Sequence, residues 1–284
     1  AIDAFRKALS LKEDWDSYKG LGWALFNTKQ FTEAIDAFHE SLQINENWDS
    51  YNGLGWTLIR RNKFTKAIDA FHKSLALKED WSSYNGLGSA LFNSKQYLEA
   101  IGAFQNSLKF QESKDSYKGL GWALFHMNKY KEAIDAFENS LAHEEDWNLY
   151  QGLGSALLRT NQFPEAIDAY RKSIALKEDQ QSYCRLIIAL IYSQKYAEGM
   201  KVLSNFLEVF GDLKIKRVLH MSFIELAIYQ AKCKNSKSNL LGNNNLQRYF
   251  AESILNYTIG DVFEVGSGYL FSEVTVVNMI ILHG

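Results

Sequence analysis

The chain has 284 residues, of which 46% are hydrophobic and 23% charged, with a single proline, Pro164. Its formal net charge of -2 offers no bulk attraction to nucleic acid or to an anionic membrane, since such partners call for a clustered basic excess. The composition therefore predicts a folded, helix-rich protein and argues against disorder and non-specific polyanion binding.

The two cysteines bear on the compartment. Cys184 and Cys233 are too few and too far apart to suggest a disulfide framework or a metal knuckle, which predicts a reducing, cytoplasmic location. The most apolar stretches, residues 186–192 and 274–282, are far shorter than the roughly 20 residues of a membrane helix, so we expect no membrane partner. Because Ala1 falls within a repeat, we expect that upstream sequence is missing.

An internal repeat of 33 residues organises most of the chain. The phrase "YKGLGWALF" at Tyr18 returns in variant form, and so does "AIDAF", which opens the chain. The first phrase starts at Tyr18, Tyr51, Tyr84, Tyr117 and Tyr150, and the second at Ala1, Ala34, Ala67, Ala100, Ala133 and Ala166. A strict period of this length predicts a solenoid whose units stack to bury their apolar faces.

One unit reads as two helices. The spacing of Tyr18, Leu21, Gly22 and Leu25 predicts a first helix, helix A, from about Trp15, with Asp14 or Asp16 as its cap. The turn-forming stretch "NTKQ" at residues 27–30 ends it, and a second helix, helix B, runs over residues 31–43. Helix B carries Ala34, Phe38 and Leu42 on one stripe.

Glycines inside helix A need an explanation. The five phrases contain ten glycines, which by propensity alone would cost about 10 kcal/mol. Close contact between helices is the gain that would offset this cost. We therefore expect Gly22 to face Ala34 and Phe38, and Gly20 to leave room for the neighbouring repeat or for the backbone of a ligand.

The order of these residues resembles the tetratricopeptide repeat (TPR). The matching positions of the first unit are Tyr18, Leu21-Gly22, Leu25, Phe31, Ala34, Phe38 and Ser41. Two features depart from the family pattern: the period is 33 rather than 34 residues, and acidic residues stand at or near the corner where the family usually has proline. These residues are Glu46, Glu79, Glu112, Glu145 and Asp179.

The resemblance implies an all-α, TPR-type α-solenoid with a small C-terminal helix and strand tail. We assign residues 1–211 to the repeats: a leading half-unit, five full units and a degenerate sixth unit from Asp179. A capping helix is expected over residues 212–232 and a polar linker over 233–245. The tail, residues 246–284, begins with a helix at 246–257.

The stretch "DVFEVGSGYLF" at residues 261–271 resembles the first motif of class I methyltransferases that bind S-adenosylmethionine. By resemblance, Glu264, Gly266 and Gly268 would match. Leu270 stands where a further glycine is common, and too few residues follow to complete a doubly wound sheet. We therefore favour a terminal strand and turn without a ligand, with the start of a truncated catalytic domain as the alternative.

The TPR resemblance implies a protein-binding module whose concave face is lined by helix A. On that basis Trp23, Trp56 and Trp122 are predicted aromatic anchors, and the amides and cations beside them are predicted contacts to an extended peptide. The full predicted site comprises Lys19, Trp23, Asn27, Asn52, Trp56, Arg60, Asn85, Asn93, Lys118, Trp122, His126, Gln151 and Arg159. The lysine and asparagine clamp that binds chaperone C-termini is not assigned, because tryptophans and glycines interrupt it.

Other residues are given structural roles. A second tryptophan series at the start of helix A, namely Trp15, Trp48, Trp81 and Trp147, is predicted to be core. His39 and His72 are predicted to be solvated on helix B, and no catalytic residue, metal ligand or cofactor site is identified. The predicted function is a non-enzymatic scaffold or adaptor for a protein or peptide. The alternative is the recognition arm of a larger methyltransferase or other transferase.

Overall fold

The computed structural model describes residues 1–210, apart from five side chains of the last helix, and every regular element in that range is an α-helix. The helices are, in chain order, α1 Ile2–Leu11, α2 Trp15–Asn27, α3 Phe31–Ile44, α4 Trp48–Arg60, α5 Phe64–Leu77, α6 Trp81–Asn93, α7 Tyr97–Phe110, α8 Lys114–His126, α9 Tyr130–His143, α10 Trp147–Arg159, α11 Phe163–Leu176, α12 Gln180–Tyr192 and α13 Tyr196–Phe210. The even-numbered helices are A helices and the odd-numbered ones are B helices. The predicted all-helical repeat fold is confirmed.

The chain divides into two compact units, residues 1–160 and a second unit that begins at residue 161. Helices α1 to α10 belong to the first unit and pack in chain order, each against the next. Within the described part of the second unit, α12 packs against both α11 and α13. Among the described residues, none of the helices combines the length and the apolar character needed to cross a bilayer.

Each A helix after α1 begins at a side-chain cap. Asp14 Oδ1 accepts hydrogen bonds from the backbone N–H groups of Asp16 and Ser17, at 3.1 and 3.0 Å, so Asp14 rather than Asp16 is the cap. These bonds satisfy N–H groups that have no partner inside the helix. The equivalent caps are Asn47, Asp80, Ser113, Asp146 and Asp179.

The turn from helix A to helix B contains a residue in the left-handed region. Lys29 has φ 62° and Lys95 has φ 64°. Asparagine tolerates this region better than lysine, and the equivalent turns at Asn62, Asn128 and Asn161 use it. Each of these turns therefore uses a left-handed residue, whatever its side chain.

The core is built around one phenylalanine per repeat. Phe38 is fully buried, and its ring lies between Gly22 of its own repeat and Gly53 of the next. A Cβ placed on Gly22 would lie 2.7 Å from this ring, and one on Gly53 would lie 2.3 Å from it. Phe71, Phe104 and Phe137 are held in the same way. The predicted packing role of the glycines is confirmed, with Gly20 facing the neighbouring half-unit at Phe5.

Pairs of buried serines join consecutive repeats, which the sequence pattern did not predict. Ser41 Oγ donates to the backbone carbonyl of Trp15 at 2.7 Å and lies 2.9 Å from Ser50 Oγ of the next helix A. Because a hydroxyl has one proton, Ser50 is the donor of the second bond. The pairs Ser74–Ser83, Ser107–Ser116 and Ser173–Ser182 repeat this contact.

The prediction that the entrance tryptophans are core is wrong. Trp15, Trp48 and Trp147 are only half-buried, and Trp81 is 36% exposed. Each residue begins a helix A at the surface of its repeat. The ammonium group of a lysine lies over two of these rings, with Nζ of Lys19 5.0 Å from the ring centre of Trp15 and Nζ of Lys78 4.1 Å from that of Trp48.

Several predicted segments lie outside the described residues. They are the capping helix at 212–232, the linker at 233–245, the tail at 246–284 and the motif at 261–271. Of the two cysteines, Cys184 lies in the described range, where it is buried, and burial raises the pKa of its thiol to about 11.

Candidate functional site

The predicted site residues lie on α2, α4, α6, α8 and α10, all within the first unit. We call the surface formed by these residues the A-helix face. Trp23 and Trp122 on this face are half-buried and pack edge-on against Phe38 and Phe137, with ring centres 5.5 and 5.3 Å apart. Both indoles are thus held by the phenylalanine of their own repeat.

The same two indoles also bond to the next A helix. Trp23 Nε1 donates to Asp49 Oδ1 at 3.1 Å, and Trp122 Nε1 donates to Asn148 Oδ1 at 3.3 Å. A buried indole N–H usually has such a partner. Trp23 and Trp122 therefore join neighbouring repeats as well as presenting an aromatic surface.

Trp56 differs from its two equivalents. Its ring packs on Phe71 with centres 5.7 Å apart and is half-buried, but no described residue accepts a hydrogen bond from its Nε1. Ser82 stands at the position that corresponds to Asp49 and Asn148. Trp56 thus keeps its N–H donor available on the A-helix face.

The two lysines of the predicted site form ion pairs. Lys19 Nζ lies 2.8 Å from Asp16 Oδ1 and 3.5 Å from Asp49 Oδ2, and Lys118 Nζ lies 3.1 Å from Asp146 Oδ2. Burial alone would lower the pKa of Lys19, but the hydrogen bonds and charges of the two aspartates outweigh it and raise that pKa. Both ammonium groups are therefore partly neutralised within the protein.

Three of the predicted amides lie inside the repeat interfaces. Asn52, Asn85 and Gln151 are only 2 to 4% exposed. Asn52 Nδ2 donates to Ser83 Oγ at 3.0 Å, so this amide joins α4 to α6. Helix packing, which the spacing of residues in one helix does not reveal, places these amides out of solvent.

Two buried oxygen atoms near Ser83 have no donor among the described residues: Asn52 Oδ1 and Asp80 Oδ2. The other oxygen of Asp80 caps α6 by accepting from the N–H groups of Ser82 and Ser83, at 2.9 and 3.2 Å. Two repeats later the corresponding oxygen, Asp146 Oδ2, accepts from Lys118. Asn52 occupies the position of that lysine and is too short to do the same.

The remaining predicted residues are exposed at the ends of their A helices: Asn27, Arg60, Asn93, His126 and Arg159. Most are held locally. Arg159 Nε and Nη2 donate to the Tyr130 hydroxyl at 3.1 and 3.0 Å, His126 stacks on Tyr97, and Asn93 Nδ2 donates to the backbone carbonyl of Ser89. Among the described residues Arg60 forms no ion pair.

The B helices carry the predicted solvated groups. His39 and His72 are exposed, and so are Asp36, Asp69 and Asp135, as expected. Among residues 1–210 no group of three or more His, Cys, Asp or Glu side chains is arranged to hold a metal ion.

Family models of the tetratricopeptide repeat match residues 15–48, 52–116 and 118–182, together more than half of the chain. No curated protein matches the sequence at a significant level. Neither family match reaches residues 261–271, so the methyltransferase resemblance gains no support and stays a prediction.

Solved structures share the fold. YrrB, described as a TPR protein with an unusual peptide-binding site, is 18% identical with a TM-score of 0.55, over 69% of this chain and 100% of that one. The C-terminal part of a TPR repeat-containing protein from Cytophaga hutchinsonii is 16% identical with a TM-score of 0.64, over 86% and 96%. Pseudomonas aeruginosa pilF is 18% identical with a TM-score of 0.60, over 77% and 97%.

Proposed function

The chain belongs to the tetratricopeptide repeat family, and from this premise we propose that it is a non-catalytic scaffold that binds an extended peptide on its A-helix face. The A helices present one side chain at the same position in each repeat, so a strand-like ligand with regularly spaced backbone groups would meet regularly spaced contacts. YrrB, which shares the fold, has a peptide-binding site.

One observation carries the proposal: polar atoms without a partner are concentrated between α4 and α6. Trp56 offers an N–H donor, while Asn52 Oδ1 and Asp80 Oδ2 are buried acceptors to which no described residue donates. Buried polar groups in native proteins almost always have partners. The donor and acceptor groups of a peptide backbone, or a basic side chain, could form hydrogen bonds with these atoms.

The tryptophan pattern also favours peptide binding at this part of the A-helix face. Trp56 is followed one repeat later by Ser89 and two repeats later by Trp122, so a small side chain lies between two aromatic ones. A ligand side chain would fit where the tryptophan is missing. Large, half-buried aromatic residues are typical of positions that dominate binding energy.

The first experiment selects peptides from a displayed random library on the full chain and measures the affinity of an enriched peptide by titration. Trp56→Ala and Trp122→Ala should each weaken binding at least tenfold, because truncating a central anchor often costs about 2 kcal/mol, about thirtyfold in affinity. Trp56→Phe should also weaken it, since it keeps an aromatic ring against Phe71 but removes the N–H donor.

The control is His72→Ala on helix B, which should change the affinity less than twofold. Circular dichroism must first show that the tryptophan variants retain their helicity, because Trp56 and Trp122 also pack on core phenylalanines. If the folded tryptophan variants bind normally while His72→Ala does not, the ligand binds the B helices and the proposal fails.

The proposal also places the protein in the cytoplasm, on the grounds of its sparse cysteines and the buried thiol of Cys184. Cell fractionation tests this, and recovery in a secreted or membrane fraction would overturn it.

A further inference from the structure

A groove of about 410 Å³ lies between the B helices α3 and α5, within the first unit. Its floor is apolar and includes Ile35 and Leu42 of α3 and Leu54 and Leu58 of α4. Its rim carries Lys63, Lys66 and Lys73, so we call it the basic groove. These residues are distinct from those of the A-helix face.

One of the rim lysines, Lys66, breaks the repeat pattern. Lys66 lies in the first turn of α5, where the other B helices of full repeats have an acidic residue: Glu33, Glu99, Glu132 and Glu165. The stretch "RRNKFTK" at residues 60–66 corresponds to "NTKQFTE" one repeat earlier and "NSKQYLE" one repeat later. The net charge of the whole chain conceals this local basic cluster.

A lysine at the start of α5 also interacts unfavourably with the helix dipole. A carboxylate is stabilising at a helix N-terminus and a cation is destabilising there, so Lys63 and Lys66 are unfavourable for α5 itself. A residue that breaks a local rule without a local gain is typical of a functional site. A ligand that pairs with these lysines would supply the missing stabilisation.

The positive charge on the rim is not neutralised. Lys63, Lys66 and Lys73 are all exposed, and within residues 1–210 none of them forms an ion pair, although Asp69 lines the same groove. Nζ of Lys73 lies 5.5 Å from the ring centre of Tyr51 and forms no ion pair with a carboxylate among the described residues. The groove therefore presents an apolar floor beside unpaired cations.

We propose that the basic groove binds an acidic amphipathic segment of a partner protein. Apolar side chains of that segment would cover Ile35, Leu42, Leu54 and Leu58, and its carboxylates would pair with the lysines. The aliphatic floor favours such a segment over nucleic acid, which would need a stacking surface or a longer basic track. The site is separate from the A-helix face and does not depend on the proposed function.

The test uses a displayed random library of 16-residue peptides selected on the full chain and on a variant carrying Lys63→Gln, Lys66→Glu and Lys73→Asn. These are the residues of the third repeat at Gln96, Glu99 and Asn106, so the variant restores the repeat pattern and should fold. The wild-type chain should enrich peptides with apolar residues at helical spacing and several carboxylates. Their affinity for the variant should fall at least tenfold.

Four further measurements decide the result. Trp56→Ala should leave the binding of these peptides unchanged, which separates the basic groove from the A-helix face, and rising salt should weaken it. Failure to enrich any peptide that binds the wild-type chain at least tenfold more tightly than the variant overturns the proposal, and so does enrichment of such peptides without carboxylates. So do a labelled oligonucleotide that binds more tightly than the peptides, or self-association in sedimentation that the variant abolishes.

Discussion

At the scale of single residues, the contact between glycine and phenylalanine explains why helix A tolerates glycines. The ring of Phe71 lies where a Cβ of Gly55 would be 2.7 Å away and one of Gly86 would be 2.3 Å away. Because Phe71 is fully buried, its ring cannot move into solvent to make room for a Cβ. The loss of helix propensity is offset by a core in which each phenylalanine contacts two repeats.

Gly55→Ala should therefore destabilise the protein by about 1 to 3 kcal/mol, the usual cost of overpacking, despite the better helix propensity of alanine. Urea unfolding measures this change. The larger change Gly55→Leu adds more atoms to the same space and should cost at least as much.

Gly102 on α7 provides a matched control, because a Cβ placed there would meet nothing within 4 Å. Gly102→Ala should stabilise the protein by up to about 1 kcal/mol. A gain in stability at both positions would show that glycine packing is not what the repeat requires.

The hydroxyl of Ser83 forms one more hydrogen bond than that of its equivalent Ser50 among the described residues. The Ser83 hydroxyl bonds to Ser74 Oγ at 2.8 Å and accepts from Asn52 Nδ2, whereas Ser50 bonds only to Ser41 through its hydroxyl among the described residues. Ser83→Ala should cost about 1 to 3 kcal/mol, because it leaves the buried Asn52 amide without its acceptor. Ser50→Ala should cost less, and equal losses in urea unfolding would contradict this account.

At the scale of the helical hairpin, the turn between helices A and B stores backbone strain. Lys29 and Lys95 adopt left-handed conformations that cost a typical L-residue about 1 to 2 kcal/mol, and both are exposed with no ion pair in the described range. The equivalent Asn62, Asn128 and Asn161 suit that conformation better. Lys29 and Lys95 thus occupy a conformation that asparagine tolerates better.

Lys95→Asn should stabilise the protein by a few tenths to about 1 kcal/mol, because asparagine reduces the strain without removing a contact. The midpoint of urea unfolding measures the gain. Asn62→Lys is the reverse change in a neighbouring repeat and should destabilise by a similar amount. Two changes of the same sign would refute the strain argument.

At the scale of the whole molecule, a tyrosine and an acidic residue recur at the corner between repeats. Tyr51, Tyr84 and Tyr150 donate hydrogen bonds to Glu46, Glu79 and Glu145, at 3.0, 2.9 and 2.8 Å. Burial, followed by the hydrogen bond and charge of Glu145, raises the pKa of Tyr150 to about 12. The pKa values of Tyr18, Tyr51, Tyr84, Tyr117 and Tyr183 are raised as well.

These shifts predict loss of stability at alkaline pH. A folded-state pKa above the unfolded value of 10.0 means that the fold favours the neutral phenol, so this contribution is complete below pH 10 and is lost as the pH rises toward about 12. Urea midpoints between pH 8 and 12 should fall over this window. Tyr150→Phe cannot ionise and should lose less over the same window; an unchanged pH dependence would contradict this role.

The repeat, its two helices and the packing role of the glycines could be predicted from the sequence alone. These features follow from local spacing: apolar residues at helical intervals, turn residues after Asn27, and a 33-residue period that places Phe38 beside two glycine positions. Each of these features recurs in several repeats, so it is not a chance pattern. The exposure of His39 and His72 could be predicted for the same reason.

Which residues of the A-helix face are exposed could be seen only in the folded structure. Asn52 and Arg60 lie on the same helix, yet Asn52 is 2% exposed and Arg60 is exposed, because exposure depends on the next repeat rather than on position along one helix. The ion pair between Lys118 and Asp146 and the unpaired oxygen of Asp80 likewise arise between repeats. Contacts across repeats are set by how helices stack, which spacing within one helix does not specify.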